Sequence, residues 1–299
     1  MFFIVGPTAC GKSDVAAEVA RNCGGEIVGA DAFQVYAGFD LLTAKPGAET
    51  VAKVTHHLIG CVPLSAQMNA ERFRSAATAA MKSIEKCGKP VFVVGGTGMY
   101  VKALTHGLSP LPPADPELRR QLSGLSAEQL LAQLAELDPE TARTIDGNNK
   151  HRVLRALEIC LLTNRPASQL RLRTKPAEEP NGVLLFRDRE ELYQRINRRV
   201  EMMFADGVVD EVRSAGRTST TSEKTLGLRQ IRDLLAGKIS EAECIAQIQQ
   251  ATRRYAKRQL TWFRGQSNFE PLNLSRYGNS EAIELITRQA RLAFAQQDD

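Results

Sequence analysis

The sequence lacks the marks of a membrane protein, a zinc-finger protein or a disulfide-stabilised protein. None of its apolar runs approaches the roughly 18 residues of a membrane span. Its six cysteines are scattered, with no CxxC pair and no Cys/His cluster, which argues against structural zinc and a disulfide framework. The apolar start is only a few residues long and has no basic leader, so we expect no signal peptide. These absences indicate a protein of the reduced cytoplasm that does not enter a membrane.

A phosphate-binding motif follows the first apolar run. Residues 2–5 are typical of a strand, and GPTACGKS directly after them fits G-x-x-x-x-G-K-[ST]. Its glycines let backbone N–H groups wrap a phosphate, and the start of the next helix adds its dipole. Lys12 is placed to reach phosphate oxygens, and the hydroxyl of Ser13 is placed to bind Mg²⁺. The motif therefore predicts a phosphate chain held by the loop Gly6, Pro7, Thr8, Ala9, Cys10, Gly11, Lys12 and Ser13.

Two motifs of ordinary nucleoside triphosphatases are missing. The best buried strand, VFVVGGTG, ends in glycines and Thr97 rather than in an acid that would hold Mg²⁺ and orient water. There is no N-K-x-D motif for reading guanine. The acid at a strand end is Asp31, which we expect to face the phosphate loop because the second strand neighbours the first in most such sheets. There it can accept a proton from an acceptor nucleophile; a Mg²⁺-water ligand or a helix cap is the alternative role.

Strand and helix signals alternate over the first hundred residues. Apolar runs predict strands at 2–5, 26–31 and 90–96, and helical spacing predicts helices at 12–22 and 69–86. Strands separated by helices indicate an α/β fold with a doubly wound parallel sheet. Its ligand site is expected beyond the carboxyl ends of the strands.

A proline-rich segment, 108–117, interrupts this alternation. Helical patterns continue to residue 164, a polar basic stretch follows, and an apolar run at 183–186 returns to the sheet. We predict a catalytic core of residues 1–108 and 183–299 with a mostly helical insertion domain at 109–182. Long helices are expected at 190–206 and 240–264, with another after residue 281.

The positive charge is concentrated in two segments. The net charge is only +5, but residues 143–175 carry eight Lys/Arg against two acids, and residues 251–268 carry five with no acid. Such patches are typical of nucleic-acid binding, although a solvated charged face is the alternative. The stripe at 245–262, which includes Tyr255 and Gln259, is more typical of a core than of base stacking.

Eight segments, in order, resemble the tRNA dimethylallyltransferase family in its bacterial form. The resemblance covers nearly the whole chain, and, as in the bacterial form, we expect no zinc-finger extension. The landmarks are GPTACGKS, GADAFQVYAGFDLLTAKP, HHLI, VFVVGGTGMYVKALTHGLSPLP, HRVLRALE, LYQRINRRVEMMFADGVVDEV, LGLRQ and ATRRYAKRQLTWFR.

The resemblance implies a P-loop core whose helical insertion grips RNA. It implies transfer of a dimethylallyl group from dimethylallyl diphosphate to N6 of the adenosine at position 37, next to the anticodon, with Mg²⁺ as cofactor. The partners implied are the anticodon stem-loop of tRNA and the diphosphate donor, the loop being of the nucleotide- and ATP-binding type. A cytoplasmic monomer with no membrane partner is expected.

The resemblance also implies roles for individual residues. Asp31 would be the general base, and Thr8, Lys12 and Arg229 would assist the diphosphate, with Ser13 on the metal. The residues implied to contact tRNA are Asp31, Ala32, Phe33, Gln34, Thr97, Arg119, His151, Arg152, Val153, Leu154, Arg155, Lys224, Thr225, Leu226, Gly227, Leu228 and Arg229.

Three positions depart from the family pattern. Cys10 and Ala32 stand where serine is frequent, and Leu228 stands where an aromatic residue is frequent. Ala32 removes a hydroxyl, which puts a specific contact there in question.

Other functions fit parts of the pattern. A P-loop kinase of a small hydroxylated substrate would also use Asp31 as base, but a small acceptor needs neither basic segment. A non-enzymatic P-loop RNA-binding protein leaves Asp31 unexplained. A prenyltransferase acting on free AMP is a close variant that the long basic insertion disfavours.

Overall fold

A computed structural model describes residues 1–170 and 180–296, which form two compact units. The first unit contains residues 1–105 and 180–296, and the second contains 106–170. The expected basic side chains of Arg171, Arg173 and Lys175 lie outside the described residues.

Within the described residues, the first unit is built on six parallel strands. They are β1 (Phe2–Val5), β2 (Glu26–Gly29), β3 (His56–His57), β4 (Val91–Gly95), β5 (Gly182–Phe186) and β6 (Glu270–Asn273). Their order across the sheet is β3-β2-β4-β1-β5-β6. The predicted α/β fold with a parallel sheet is confirmed.

Helices connect and cover these strands. The first unit contains α1 (Lys12–Asn22), α2 (Ala48–Lys53), α3 (Ala70–Lys86), α4 (Gly98–Thr105), α10 (Arg189–Ala205), α11 (Val208–Ser214), α12 (Leu228–Leu235), α13 (Glu241–Gln266) and α14 (Asn279–Ala295). The second contains α5 (Pro116–Ser123), α6 (Ala127–Leu137), α7 (Pro139–Thr144), α8 (Lys150–Thr163) and α9 (Ala167–Leu170). In the described part of the chain, no helix combines the length and the apolar character needed to cross a membrane.

The strand order corrects one expectation. The sequence predicts that β2 neighbours β1, but β4 lies between them, pairing Gly95 with Val5 on one side and Val94 with Gly29 on the other. The prediction was wrong because local patterns identify strands and do not fix where a crossover returns. All these strands still point the same way, so the residues that follow β1, β2, β4 and β5 meet at one edge of the sheet.

Buried apolar side chains cover both faces of the sheet. On one face α1, α10 and α14 pack against β1, with Ile4, Ile196 and Ile286 completely buried. On the other face α3 and α4 pack with β4, and the rings of Phe73 and Tyr100 stack 3.9 Å apart. Because both faces are covered, the central strands read as continuous apolar runs, which is why the sequence identifies them.

The second unit has its own helical core. Leu130, Leu134, Val153 and Leu157 are fully buried among α5 to α9. Helix α6 begins with a capping box in which Ser126 and Gln129 satisfy each other's backbone N–H groups. The five helices α5 to α9 agree with the mostly helical pattern of the sequence.

Candidate functional site

The phosphate loop joins β1 to α1 at the carboxyl edge of the sheet. Gly11 precedes the first turn of α1 with φ of 97°, a left-handed conformation that favours glycine. Lys12 and Ser13 begin the helix, so their side chains and the free N–H groups of the first turn share one end of the dipole. This is the geometry of an anion site.

A cavity of about 300 Å³ opens over the loop. Its walls include Thr8, Lys12 and Ser13 from the loop and Asp31 from the segment after β2. The structure therefore brings the loop and Asp31 to one cavity, although two strand spacings separate β2 from β1. The cavity is large enough for a small phosphorylated ligand beside a base or a comparable group.

The carboxylate of Asp31 is held by the backbone that follows it. Its Oδ1 accepts hydrogen bonds from the N–H groups of Phe33 at 2.9 Å and Gln34 at 3.2 Å. Its Oδ2 accepts none from the described residues. One oxygen thus caps a turn rather than a helix, and the other is left for a ligand in the cavity.

Three arginines bind the phosphate loop from the chain after β5. The Nε–H of Arg187 donates to the carbonyl oxygen of Cys10 at 2.8 Å, and that of Arg195 donates to Ala9 at 2.9 Å. A terminal N–H of Arg199 donates to the hydroxyl of Thr8 at 2.9 Å. These bonds fix the loop peptides, including Ala9 with its left-handed φ of 66°.

Sequence reasoning missed these arginines. Arg195 and Arg199 lie four residues apart on α10, whose buried face carries Leu192, Ile196 and Val200. The sequence pattern that could have indicated them is their position one turn apart beside this apolar stripe. Their hydrogen-bond partners, Ala9 and Thr8, lie 186 and 191 residues earlier in the chain. No local pattern therefore connects the arginines to the loop.

The guanidinium of Arg199 is largely removed from water. Burial lowers the pKa of its guanidinium, while the negative charge of Asp31 opposes that shift. Its Nε–H is buried and finds no acceptor among the described residues. A cation in this state gains from an anion placed in the cavity that it lines.

Helix α13 packs against α10 and contributes another part of the cavity wall. Tyr255 lines the cavity, and Gln259, one turn later, is buried behind the loop. Burial raises the pKa of Tyr255, and the charge of Asp31 raises it further. The stripe is therefore core along most of its length, and Tyr255 is the member that reaches the cavity.

The segment after Asp31 forms a shaped wall. The side chain of Gln34 donates to the carbonyl oxygens of Thr43 at 3.2 Å and Ala44 at 2.9 Å, which folds the following loop back over it. The ring of Phe33 lies 6.2 Å from that of Tyr255. The two rings are in tilted contact with each other, and both present aromatic surface to the cavity.

Thr97 and Ala32 support this wall from behind. The hydroxyl of Thr97 accepts the N–H of Ala32 at 2.9 Å, so the turn after β4 is tied to the Asp31 segment. Thr97 does not line the cavity, which gives it a supporting place in the structure. Cys10 is also turned away, since its side chain is completely buried in the core.

The placement of Arg229 corrects an expectation. Its side chain is 89% exposed and pairs with Asp233, so it lies at the surface rather than at the loop. Arg199, rather than Arg229, lies at the phosphate loop, where its guanidinium contacts Thr8. Within 224–229, Thr225 and Leu226 line the cavity, whereas Leu228 is completely buried in a core cluster. Lys224 is exposed and Gly227 is buried.

In the second unit, two predicted RNA-contacting arginines bind a buried acid. Arg119 donates to both oxygens of Glu158, at 2.8 and 2.9 Å, and Arg155 pairs with it from one turn away on α8. Val153 is fully buried, so its predicted RNA contact is wrong for the side chain. Leu154 also packs against that core, and His151 and Arg152 are exposed.

The loop is suited to a metal carried by a phosphate ligand. No group of three or more His, Cys, Asp or Glu side chains in residues 1–170 and 180–296 forms a preassembled metal site. Ser13, Asp14 and Asp31 line the same cavity. Mg²⁺ commonly takes one or two protein oxygens, phosphate oxygens and water, and this donor set fits that requirement.

Comparisons with known proteins agree on one family. The sequence model of the IPP transferase family matches residues 34–266. A tRNA dimethylallyltransferase 1 of Citrifermentans bemidjiense is 45% identical, covering 86% of this chain and 87% of its own. A tRNA dimethylallyltransferase of Geobacter metallireducens is 44% identical over 89% and 90%. The solved tRNA isopentenylpyrophosphate transferase of Bacillus halodurans is 33% identical, with a TM-score of 0.71 and coverage of 100% and 99%. None of these proteins supports the kinase alternative.

Proposed function

The chain belongs to the IPP transferase family, and from this membership and its cavity we propose that it transfers a dimethylallyl group to tRNA. The donor is dimethylallyl diphosphate, and the acceptor is N6 of the adenosine at position 37 in the anticodon stem-loop. The observation that carries the proposal is the single cavity shared by the phosphate loop and Asp31.

In the proposed reaction, N6 forms a bond to the allylic carbon of the donor as the bond from that carbon to the diphosphate oxygen breaks. The N6 lone pair is delocalised into the ring, so loss of a proton as the new bond forms assists the attack. The free oxygen of Asp31 accepts that proton. The Phe33 and Gln34 N–H groups keep the carboxylate oriented while it does so.

Diphosphate is the leaving group, and its developing charge needs positive partners. Lys12 and the N–H groups at the start of α1 supply them from the loop, and Arg199 supplies another from α10. The hydroxyl of Thr8, held by Arg199, lies at the same wall. Mg²⁺ would be held by Ser13 and would add positive charge at the diphosphate oxygens.

The acceptor base must leave its stack to enter the cavity, which is least costly in a loop. Phe33 and Tyr255 offer aromatic surface for it. Outside the cavity, Arg254, Lys257 and Arg258 are exposed on α13 and form no ion pair with the described residues. We assign these three to the phosphate backbone of the tRNA.

We further propose a cytoplasmic monomer. Scattered thiols, none forming a disulfide among the described residues, are consistent with a reducing compartment. The loop is of the nucleotide-binding type, so ATP is expected to compete weakly with the donor rather than to serve as substrate.

Replacement of Asp31 by asparagine tests the proposal. Asparagine keeps an oxygen for the Phe33 and Gln34 N–H groups but cannot accept the proton. Loss of a general base costs about 10²- to 10⁴-fold in rate. The assay is single-turnover transfer from radiolabelled dimethylallyl diphosphate to unmodified tRNA, with the Kd for tRNA measured in parallel.

Asp206→Asn is the matched control, because Asp206 is exposed at the end of α10. It should retain the wild-type rate. Near-normal transfer by Asp31→Asn would remove Asp31 as the base. If wild-type protein leaves the label out of RNA and instead phosphorylates a metabolite from ATP, the proposed function is wrong.

A further inference from the structure

The side chain of Gln259 connects two strand ends behind the cavity. Its carbonyl oxygen accepts the N–H of Thr8 at 2.8 Å, and its NH₂ group donates to the carbonyl oxygen of Gly96 at 2.9 Å. Thr8 follows β1, and Gly96 follows β4, the strand beside it. Gln259 is only 5% exposed, so these bonds are shielded from water.

The side-chain amide of Gln259 is closely packed against the backbone of Gly96. A Cβ added to Gly96 would lie 2.3 Å from the side-chain nitrogen of Gln259, a distance that no real Cβ contact shows. The glycine thus allows the amide to reach the backbone. Replacing Gln259 with any side chain lacking either group leaves a buried donor or acceptor without its partner.

The bond to Gln259 places Thr8 in particular. Its N–H is used by Gln259 and its hydroxyl accepts from Arg199, so α13 and α10 fix the residue from two sides. Thr8 lines the cavity beside the loop that would hold the diphosphate. A shift of its peptide would carry the hydroxyl and the following loop N–H groups with it.

The same helix contributes to the acceptor side. Tyr255 lies one turn before Gln259 and lines the cavity next to Phe33. One rigid element therefore positions an aromatic wall and the first residues of the phosphate loop.

We propose that Gln259 is a positioning residue that sets the phosphate loop, through Thr8, in register with the turn after β4. The inference rests on the proposed transfer function. Gln259 itself touches no reacting atom. Its loss slows the transfer step by misplacing the diphosphate, and it leaves tRNA affinity unchanged.

Gln259→Glu tests the positioning role through the pH dependence of the transfer rate, which would not change if Gln259 served only to fill space. An ionised glutamate still accepts the Thr8 N–H, but it sets a carboxylate oxygen against the carbonyl of Gly96. A protonated glutamate can donate to that carbonyl and restore both bonds. Burial raises the pKa of such a carboxyl, so the protonated form is reached at mildly acidic pH.

The experiment measures the single-turnover rate at saturating donor and tRNA from pH 5 to 9 for wild type and variant. At pH 8 we expect the variant to be about 10- to 100-fold slower, the cost of a displacement on the order of 1 Å. The ratio of variant to wild-type rate should rise as the pH falls. Gln250→Glu adds the same charge at an exposed position of α13, and its ratio should stay flat near one.

A pH-independent ratio for Gln259→Glu, or a loss confined to tRNA Kd, would overturn the inference. If Gln259→Glu does not fold, Gln259→Met replaces it, and an unchanged single-turnover rate would then be the contrary result. If the wild-type protein transfers no dimethylallyl group, the proposed function is wrong. That result is distinguishable from failure of the inference on Gln259, in which the wild-type protein is active.

Discussion

Arg199→Met should separate ligand binding from stability. Burial lowers the pKa of Arg199, which means that the fold disfavours its charge, and its Nε–H has no acceptor in the described residues. Methionine removes that desolvated cation and one hydrogen bond to Thr8. Because these effects oppose each other, we expect the melting temperature of the ligand-free protein to change by no more than about 2 °C.

Unlike the stability of the ligand-free protein, the affinity for diphosphate should fall strongly in Arg199→Met. A charge-assisted hydrogen bond to the ligand contributes about 1.5–3 kcal/mol, so its loss weakens the Kd by about 10- to 150-fold. At a ligand concentration 100 times its Kd, wild type gains about 2.7 kcal/mol, or about 5 to 10 °C in Tm. A variant with a 100-fold weaker Kd gains about 0.4 kcal/mol under the same conditions, or about 1 °C.

The assay is thermal unfolding with and without inorganic diphosphate and Mg²⁺. Arg198→Met is the control, because Arg198 is the exposed neighbour on the same helix, and it should keep the wild-type shift. A full wild-type shift in Arg199→Met would refute the assignment of this guanidinium to the diphosphate.

Two further predictions concern the second unit and the basic face of α13. Burial alone would raise the pKa of Glu158, but hydrogen bonds from Arg119 and Arg155 outweigh it and hold the pKa below its usual range. The stabilisation is therefore complete above the pKa of an unfolded glutamate and is lost as the pH falls through the lower folded value. Glu158→Gln should cost about 3 kcal/mol at neutral pH, measured by hydrogen exchange of α8 amides, and progressively less as the pH falls below the pKa of an unfolded glutamate; a cost that does not fall with pH would contradict the ion-pair account. Replacing Arg254 and Lys257 together with serine should reduce the slope of log Kd for tRNA against log salt by about 1.5, while the rate at saturating tRNA is unchanged; an unaltered slope would exclude these contacts.

The parts of the fold that the sequence predicts are those coded by local, strong patterns. Strands β1 and β4 are buried on both faces, so each reads as an apolar run, and α1 follows a motif with fixed chemistry. The edge strands β3 and β6 were missed because they are short and carry no apolar run. Strand order was missed because adjacency depends on tertiary crossover paths.

The candidate site divides in the same way. The loop and Asp31 are visible because each carries its chemistry in a few adjacent residues. Arg199 was missed and Arg229 was assigned from the family resemblance, because the sequence does not reveal which guanidinium turns towards the loop. Arg119 was predicted to contact RNA, but it binds the buried Glu158. The two residues lie 39 positions apart, so the sequence does not reveal that they pair.

The bonds that complete the phosphate loop have a consequence for how the protein is made. Thr8 precedes its partner Gln259 by 251 residues. At translation rates of about 5–20 residues per second, that interval is about 12 to 50 seconds. The second unit, by contrast, lies within one continuous stretch, so its α6–α8 contacts form between close sequence neighbours and it can fold first. On the ribosome, the motif nearest the start of the sequence is thus among the last parts of the protein to reach its working conformation.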